Sequence, residues 1–580
     1  MVDWKVGGVA ITAGRARLLG VLPALLAASA IQAATVYRNT APGVDYVGSK
    51  VCAGCHRTIY NDFLKTAMGR SISVPDAGVA DAPASVQNTA LNRDFRVFRE
   101  NGGAYQSESR TDGGRLVFED QHKLEYVIGS GENGMTFAVR RGDYLFQAPL
   151  SYYSRPHKWA LSPGYEQIDL GFTRPVYDAC ITCHAGRPQA IPGRDGLYRD
   201  PPFKEMAIGC ENCHGPGQLH ADERARALPA ARPDDSIVNL AKLTPRLAED
   251  VCMKCHQTGD ARVLLPGRTY DDFRPGQPLV QTLAIVSLPL SRAGTDLLEH
   301  HVSMKLSKCF RASGGKLGCL TCHDPHQQPD AAAAPSFYRT RCLACHGPNQ
   351  VACRFNPAIR AAQKPPDNCI ACHMPKRDIQ IISHSALTNH RIPRRLDDIP
   401  PLDLPDSLTA GLPGLLLLDA TTGEPELPLL TRLQAYGELS AKVPELLAPY
   451  QRLLDEASLK LPDDPVVLSA LGRRSFLKGE PSAIEFMQRA VDKGTPGATT
   501  YLDLGEALDR VGRLDESVAA LTRGVAVFPY SMDLRKRLIL AYIRQKQYGE
   551  ARNNLETYVR DFPQDSFMRS LLDKATVTPR

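Results

Sequence analysis

Hydrophobic and polar positions divide the chain into stretches of different rhythm. Between about residues 90 and 155, the segments DFRVFREN, RLVFED, KLEYVIGS, MTFAVRR and DYLFQAPL partly alternate Val, Phe, Tyr and Leu with polar residues, and NGG, TDGG and SGENG interrupt them. This pattern predicts a meander of short antiparallel strands, a β insert. Elsewhere in residues 34–392 neither strand nor helix period persists for long, and the sequence reads as short helices and irregular Gly/Pro-shaped loops. The stretch 393–428, which contains RRLDDIPPLDLPDSLTAGLP, has almost no pattern and reads as a Pro/Leu-rich linker. From 429 to 580 the pattern becomes helical and repeats. Pro462, Pro496, Pro529 and Pro563 lie 34, 33 and 34 residues apart; Leu471-Gly472 recurs as Leu504-Gly505 and weakly as Leu538-Ile539; Ala483, Ser517 and Ala551 are each 34 apart. Such a period predicts helix–turn–helix units stacked side by side, with small residues where helices cross.

The first 33 residues follow another logic. Arg15 and Arg17 precede an apolar run from Leu18 to Ile31, and small residues follow in Ile31-Gln32-Ala33-Ala34. This is the layout of a secretory signal cleaved after Ala33, with an uncleaved anchor as the alternative. The chain is expected in the periplasm or outside the cell, with no membrane span after cleavage.

Composition sharpens the picture at two residue types. A chain of 580 residues with 43% hydrophobic and 23% charged residues and a mean hydropathy of −0.25 is globular and built of several domains, which excludes a disordered or polytopic membrane protein. Its 16 Cys and 15 His, against 2 Trp, end abruptly at Cys372 and His390. Fourteen cysteines form seven copies of C-x-x-C-H: Cys52/Cys55/His56, Cys180/Cys183/His184, Cys210/Cys213/His214, Cys252/Cys255/His256, Cys319/Cys322/His323, Cys342/Cys345/His346 and Cys369/Cys372/His373. Two thiols at this spacing can add to both vinyl groups of one haem while the adjacent His ligates its iron. A zinc site would not require His after every second Cys, and a thioredoxin-like pair would occur once. The sequence therefore predicts seven covalently bound c-type haems.

Eight histidines remain as candidate distal ligands: His122, His157, His220, His300, His301, His326, His384 and His390. His122 and His157 sit in strand-like sequence. His300 and His301 are adjacent, so one of the two is expected to face an iron. Met68, in IYNDFLKTAMGRS, is a further candidate, since a thioether would raise the potential of its haem; packing against a porphyrin is the other reading. Cys309 and Cys353 are left over and are expected to pair as a disulfide, with a reactive thiol or an iron ligand as alternatives.

The formal charge is +6, and Asp3, Lys5, Arg15 and Arg17 carry a net +2 of it, so the mature chain is +4 and has no Lys/Arg stripe for nucleic acid. Seven haems would add about −14 in propionates, offset in part by ferric iron, which makes the loaded protein acidic and a basic partner the expected one.

Two resemblances complete the reading. The 34-residue period resembles the tetratricopeptide repeat, whose groove binds peptides or proteins. The stretches YVGSKVCAGCH, KTAMGRS, YVIGSGENGMTF, ALSPGYE, IGCENCHGPGQLH, SKCFRASGGKLGCLTCHDPH, NCIACHMPKRDI and HSALTNHRI resemble exported multihaem cytochromes c with such a tail, relatives of the cytochrome c-554 and multihaem nitrite reductase superfamily. No motif is C-x-x-C-K, so the lysine-ligated site of ammonia-forming nitrite reductases is not expected. Relatives often carry His where Met68 stands, which favours Met68 as a ligand. The expected fold is α+β: a haem-packed, loop-rich domain over 34–392 with its β insert, then an all-α tetratricopeptide solenoid over 429–580. The expected function is electron transfer along the haem chain with unidentified redox proteins as partners, the tail docking or assembling. No catalytic residue is assigned; the alternatives are a reductase of a small nitrogen or sulfur oxyanion at a five-coordinate haem, and a scaffold in which the repeats carry the function.

Overall fold

The computed structural model describes residues 37–577 except 76–78, 80–81, 227–233, 290–299, 348–352, 354, 377–387, 396–411, 419–425 and 496. The expected secretory segment with its expected cleavage point, most of the expected linker, Pro496 and His384 lie outside the described residues.

Ten strands form one antiparallel sheet: β1 (Ile72–Ser73), β2 (Ala84–Asn88), β3 (Arg93–Glu100), β4 (Gly103–Asp112), β5 (Arg115–Ile128), β6 (Gly134–Arg141), β7 (Tyr144–Gln147), β8 (Leu150–Tyr153), β9 (Lys158–Leu161) and β10 (Arg174–Pro175). The order is β10-β7-β6-β5-β4-β3-β2, with β1 on the far end of β5 and the β8–β9 hairpin on β6. The sheet extends beyond 90–155 because β1 and β10, each two residues long, pair with β5 and β7. RLVFED and KLEYVIGS form the single strand β5, since Gln121-His122 between them supplies no Gly or Pro to turn the chain. β4 is polar yet buried at Gln106, Ser107 and Glu108. Two of these three are satisfied: the Gln106 amide accepts from Leu150 N–H at 2.9 Å and donates to Leu150 C=O at 3.0 Å, and Glu108 meets Arg93 at 3.1 Å, whereas the buried Ser107 hydroxyl has no hydrogen-bond partner. Phe137, Val139, Phe146, Leu150 and Phe172 fill the apolar core.

Two smaller sheets follow. β11 (Gly186–Ala190) pairs with β12 (Tyr198–Glu205), and β13 (Ala261–Leu264), β14 (Leu283–Ser287) and β15 (Leu416–Leu418) form a three-stranded sheet. β15 comes from the stretch expected to be patternless linker; its three leucines are buried and pair with Ser287, Val286 and Ile285. Among the helices here are α1 (Pro245–His256), started by the Thr244 hydroxyl accepting from Leu247 N–H, then α2 (His300–Leu306) and α3 (Pro357–Ala361).

The C-terminal region is all-helical: α4 (Leu429–Ser440), α5 (Leu447–Lys460), α6 (Pro465–Lys478), α7 (Ser482–Asp492), α8 (Ala498–Arg510), α9 (Leu514–Val527), α10 (Met532–Arg544), α11 (Tyr548–Asp561) and α12 (Ser566–Val577). Asp464 caps α6 by accepting from Val466 and Val467 N–H, with Pro465 at the first helical position. Helices cross at glycines: a Cβ on Gly472 would lie 2.4 Å from Met487 Cγ, and one on Gly505 would lie 2.6 Å from Leu521 Cγ. Gly505→Val is therefore expected to destabilise the tail by about 1–3 kcal/mol, the usual range for overpacking, visible as an earlier helical melting transition in circular dichroism. An unchanged midpoint would show that the crossing has room.

The tail is anchored at both ends. α4 packs on the three-stranded sheet through Ala435, Tyr436 and Leu439. At the other end Tyr530 meets Tyr144 and Phe146 edge-on at 5.1 and 4.9 Å. Beside it, Arg141 reaches Asp561 Oδ1 at 3.3 Å and Arg93 Nη2 donates to Gln564 C=O at 3.0 Å.

Candidate functional site

Each motif folds as a local turn. In motifs one, three, five and six the histidine N–H donates to the carbonyl of the first cysteine, at 2.9, 3.1, 3.0 and 2.9 Å for His56, His214, His323 and His346. Motif four ends α1, and motif seven is the helix Cys369–His373, capped by Asn368. One helical turn keeps both sulfurs and the imidazole of a motif together.

The motif cysteines lie at different depths. Cys55, Cys180, Cys345 and Cys372 are exposed, whereas the other ten motif cysteines are half-buried. The reason at motif one is local. Ser49 and Ala53 are the buried residues of the helix Ser49–Ala53, and Cys55 lies two residues past its end, in a turn where Gly54 and His56 are exposed too. Cys55 N–H donates to Cys52 C=O at 3.2 Å, which keeps the thiol within its motif while the chain leaves it on the surface. At motif two, Ile181 is the residue that the helix Asp178–Ile181 buries, so Cys180 before it faces outward.

The motifs also meet one another. Cys52 and Cys210 lie within sulfur hydrogen-bond reach, as do Cys183 and Cys255, and Cys252 and Cys319. Accepting a hydrogen bond from the partner thiol pulls Cys210 and Cys183 down to about 7. Motif four thus touches motifs two and five, and motif one touches motif three through Cys52 rather than Cys55.

The histidines are paired more tellingly. The ring of His56 lies 6.4 Å from that of His220, His214 lies 5.9 Å from His326, His256 6.1 Å from His300, and His323 6.2 Å from His390. His300 and His390 meet edge-on at 4.4 Å. Two imidazoles on opposite sides of one iron, each bonded at about 2 Å with about 1 Å more to the ring centre, would have centroids about 6 Å apart. The four pairs fit that separation.

Hydrogen bonds at the other ring nitrogen fix which atom is left to ligate. His214 Nδ1 donates to Val238 C=O at 2.7 Å and His390 Nδ1 to Thr388 C=O at 2.9 Å, while His220 Nδ1 faces Asp234 Oδ2 at 2.9 Å. Carbonyls only accept, so Nδ1 carries the hydrogen and Nε2 the lone pair. His373 Nδ1 is held likewise by Pro393 C=O at 2.9 Å. Burial pushes His300 down to about 3 and lowers His214 and His390. These three are neutral near pH 7, the ligating form.

The remaining candidates are placed differently. His301 is buried with Nε2 2.9 Å from Glu249 Oε2, so of the adjacent pair it is His300 that faces a motif. His122 lies in β5 with Nε2 2.9 Å from Asp120 and its ring against Phe172, and His157 occupies an exposed turn between β8 and β9 at φ +48°. Met68 sits in the turn after the helix Arg57–Phe63; its carbonyl accepts from Ser71 N–H, and Ser71 Oγ donates to His184 C=O at 2.5 Å, which sets this turn beside motif two. Cys309 and Cys353 are free thiols, so the expected disulfide is not formed. Sequence reading missed the cations near motifs two and three: Arg187 and Arg274 lie 3.5 and 4.9 Å from the Tyr46 ring centre, and Arg187 Nε and Arg274 Nη1 are buried without a hydrogen-bond acceptor. Such donors suit carboxylates like haem propionates. Arginines scattered over residues 187–274 gave no sequence signal.

Among the described residues no helix is long and apolar enough to cross a membrane. None of their side chains form a group of three or more His, Cys, Asp or Glu able to hold a metal ion. The chain matches no family model and no curated protein. Among solved structures it is similar to the crystal structure of MamA, at 19% identity over 24% of this chain and 85% of that one, with a TM-score of 0.19. It is also similar to a chain of the APC/C hetero-tetramer Cut9–Hcn1, at 24% identity over 25% of this chain, with a TM-score of 0.22; the match spans 29% of that chain. Neither is described as a cytochrome. The resemblance to the multihaem cytochrome superfamily is corrected: no family model and no curated protein carries it, and the labels cytochrome, haem and iron are not attached to the chain as family attributes. The motifs must stand on their own residues.

Proposed function

We propose that the chain is an exported electron-transfer protein holding seven covalently attached c-type haems, with a helical tail that docks or assembles with another protein. The observation that carries this reading is the set of four motif histidines that each face a second imidazole at 5.9–6.4 Å. Bound haem would supply one-electron exchange at iron, without bond-making in a substrate. The chain's residues do the rest. The fourteen motif cysteines would hold the groups covalently against loss after export, with Cys55, Cys180, Cys345 and Cys372 doing so at the surface. His56, His184, His214, His256, His323, His346 and His373 would ligate the irons beside their own cysteines, and His220, His326, His300 and His390 would offer the second imidazole at motifs one, three, four and five. Val238, Thr388 and Asp234 orient imidazoles through Nδ1. Contacts between cysteines of different motifs bring the attachment points together, and Arg187 and Arg274 offer charge to propionates.

Paramagnetic resonance of the oxidised protein tests the ligand assignment. A low-spin spectrum is expected for the paired haems; His300→Ala should turn one of them high-spin, whereas His301→Leu should leave the spin count unchanged. Unaltered spectra for alanine variants of His220, His300, His326 and His390 would remove the reading. A high-spin haem that binds nitrite or cyanide in the unaltered protein would favour reduction of a small oxyanion instead.

A further inference from the structure

Charge is distributed unevenly. Residues 300–395 contain fourteen Lys or Arg against four Asp and no Glu, a net +10, while the whole chain is +6 and the remainder therefore −4. This segment carries motifs five to seven. Several of its exposed cations are tied to motif seven by the bonds of their neighbours. Lys364 follows Gln363, whose Nε2 lies 4.0 Å from Cys372 Sγ; Lys376 lies three residues past His373; Arg394 and Arg395 follow Pro393, whose carbonyl accepts from His373. The nearby Asp367 is already neutralised, by Arg339 at 2.9 Å and Arg360 at 3.3 Å. In the same segment, α3 and the residues before it expose Phe355 and Ile359, each 49% accessible. The second cysteines of motifs six and seven, Cys345 and Cys372, are exposed as well.

We infer that this face docks an acidic redox protein, with Phe355 and Ile359 at the centre of the contact and Lys364, Lys376, Arg394 and Arg395 on its rim. The inference rests on the haem-carrying function proposed above. Chain-wide charge after loading favoured a basic partner, but the local balance reverses at this end: three haems contribute about −6 in propionates against +10 from the chain. A small anion would have no use for two exposed apolar side chains, whereas transient redox contacts are small, with charges that steer the encounter. Each encounter moves one electron, so that the carrier and one haem iron change by one oxidation level in opposite directions.

The test is stopped-flow reduction of the full holoprotein by the hydroquinone of an acidic flavodoxin, followed at the haem α-band from low to high salt. The second-order rate should fall about tenfold or more as salt rises. Lys364→Glu with Lys376→Glu should lower the low-salt rate about tenfold, and Phe355→Ser with Ile359→Ser should slow it at high salt too. Lys158→Glu, exposed on β9, should leave it unchanged. Rates that ignore salt and the charge variants, or an equal effect of Lys158→Glu, would overturn the docking face in a protein that carries its haems. An equal loss with dithionite as reductant would mean a local field rather than docking, and would overturn it too. A pyridine haemochrome assay showing no attached haem would overturn the electron-transfer function itself, and the docking face with it.

Discussion

Arg93→Met should cost the fold about 3–5 kcal/mol, the range for removing one partner of a buried ion pair, and should loosen the tail from the ten-stranded sheet. The side chains of Arg93 and Glu108 are 9% and 1% exposed; the guanidinium lies 3.1 Å from Glu108 and 2.7 Å from Asp169, and it also donates to Gln564 C=O, 471 residues away. Without it, two carboxyls and a carbonyl lose their shared cation. Burial first, then Asp169, pushes the Glu108 carboxyl well above the usual 4.5, while Arg93 opposes the rise. A raised carboxyl binds its proton more tightly when folded. Its contribution is therefore present at low pH and is lost as pH rises through the folded value. The deficit of Arg93→Met is accordingly expected to be larger at pH 8 than at pH 5. Thermal midpoints at both values check this; a deficit under about 1 kcal/mol, or one that shrinks as pH rises, would show that the guanidinium does not hold the joint.

Replacing Cys252 and Cys255 with serine should lower the haem content from seven to six and also collapse the yield of folded protein. Motif four ends α1, where Val251 and Met253 enter the core shared with Val302, Leu306 and Leu416, and Asp250 accepts from Leu279 N–H. Its sulfurs interact with those of Cys319 and Cys183 in two other motifs. Cys342→Ser with Cys345→Ser, in a motif whose second cysteine and histidine are exposed, should also lose one haem but keep most of the yield. Equal yields for the two double variants would mean that motif four is no hub. The same geometry bears on the tail: with anchors at Tyr436 and Tyr530, deleting residues 430–580 exposes sheet faces and does not cleanly remove a docking module.

Particular residues show how far the sequence could be read. β3, β6 and β7 follow from alternating Phe, Val and Tyr, but β4 does not, because Gln106 and Glu108 are polar and are satisfied in the interior only through Leu150 and Arg93 on other strands. β15 is three leucines in a Pro/Leu-rich stretch; burial on β14 and α4 makes it a strand, and neither partner is adjacent in sequence. The tail was legible because Gly472 and Gly505 mark crossings at a fixed period. Proximal histidines were legible because each follows its cysteines by one residue. The distal candidates were named among the eight spare histidines, but their pairing was not legible, since His220 meets His56, and His390 meets His323, only after long loops close. The spacing of a motif also says nothing of its depth: Cys55 and Cys255 occupy the same place in their motifs, yet Cys55 is exposed beyond a five-residue helix and Cys255 is half-buried in the last turn of α1. His300 and His301 cannot be told apart until Glu249 occupies the second.

Haem stoichiometry of the exported protein tests the central claim most directly. The purified mature chain, denatured in pyridine and alkali, should retain seven covalently bound c-type haems per polypeptide, one for each C-x-x-C-H motif. A chain that is exported and folded but carries no covalent haem would contradict it.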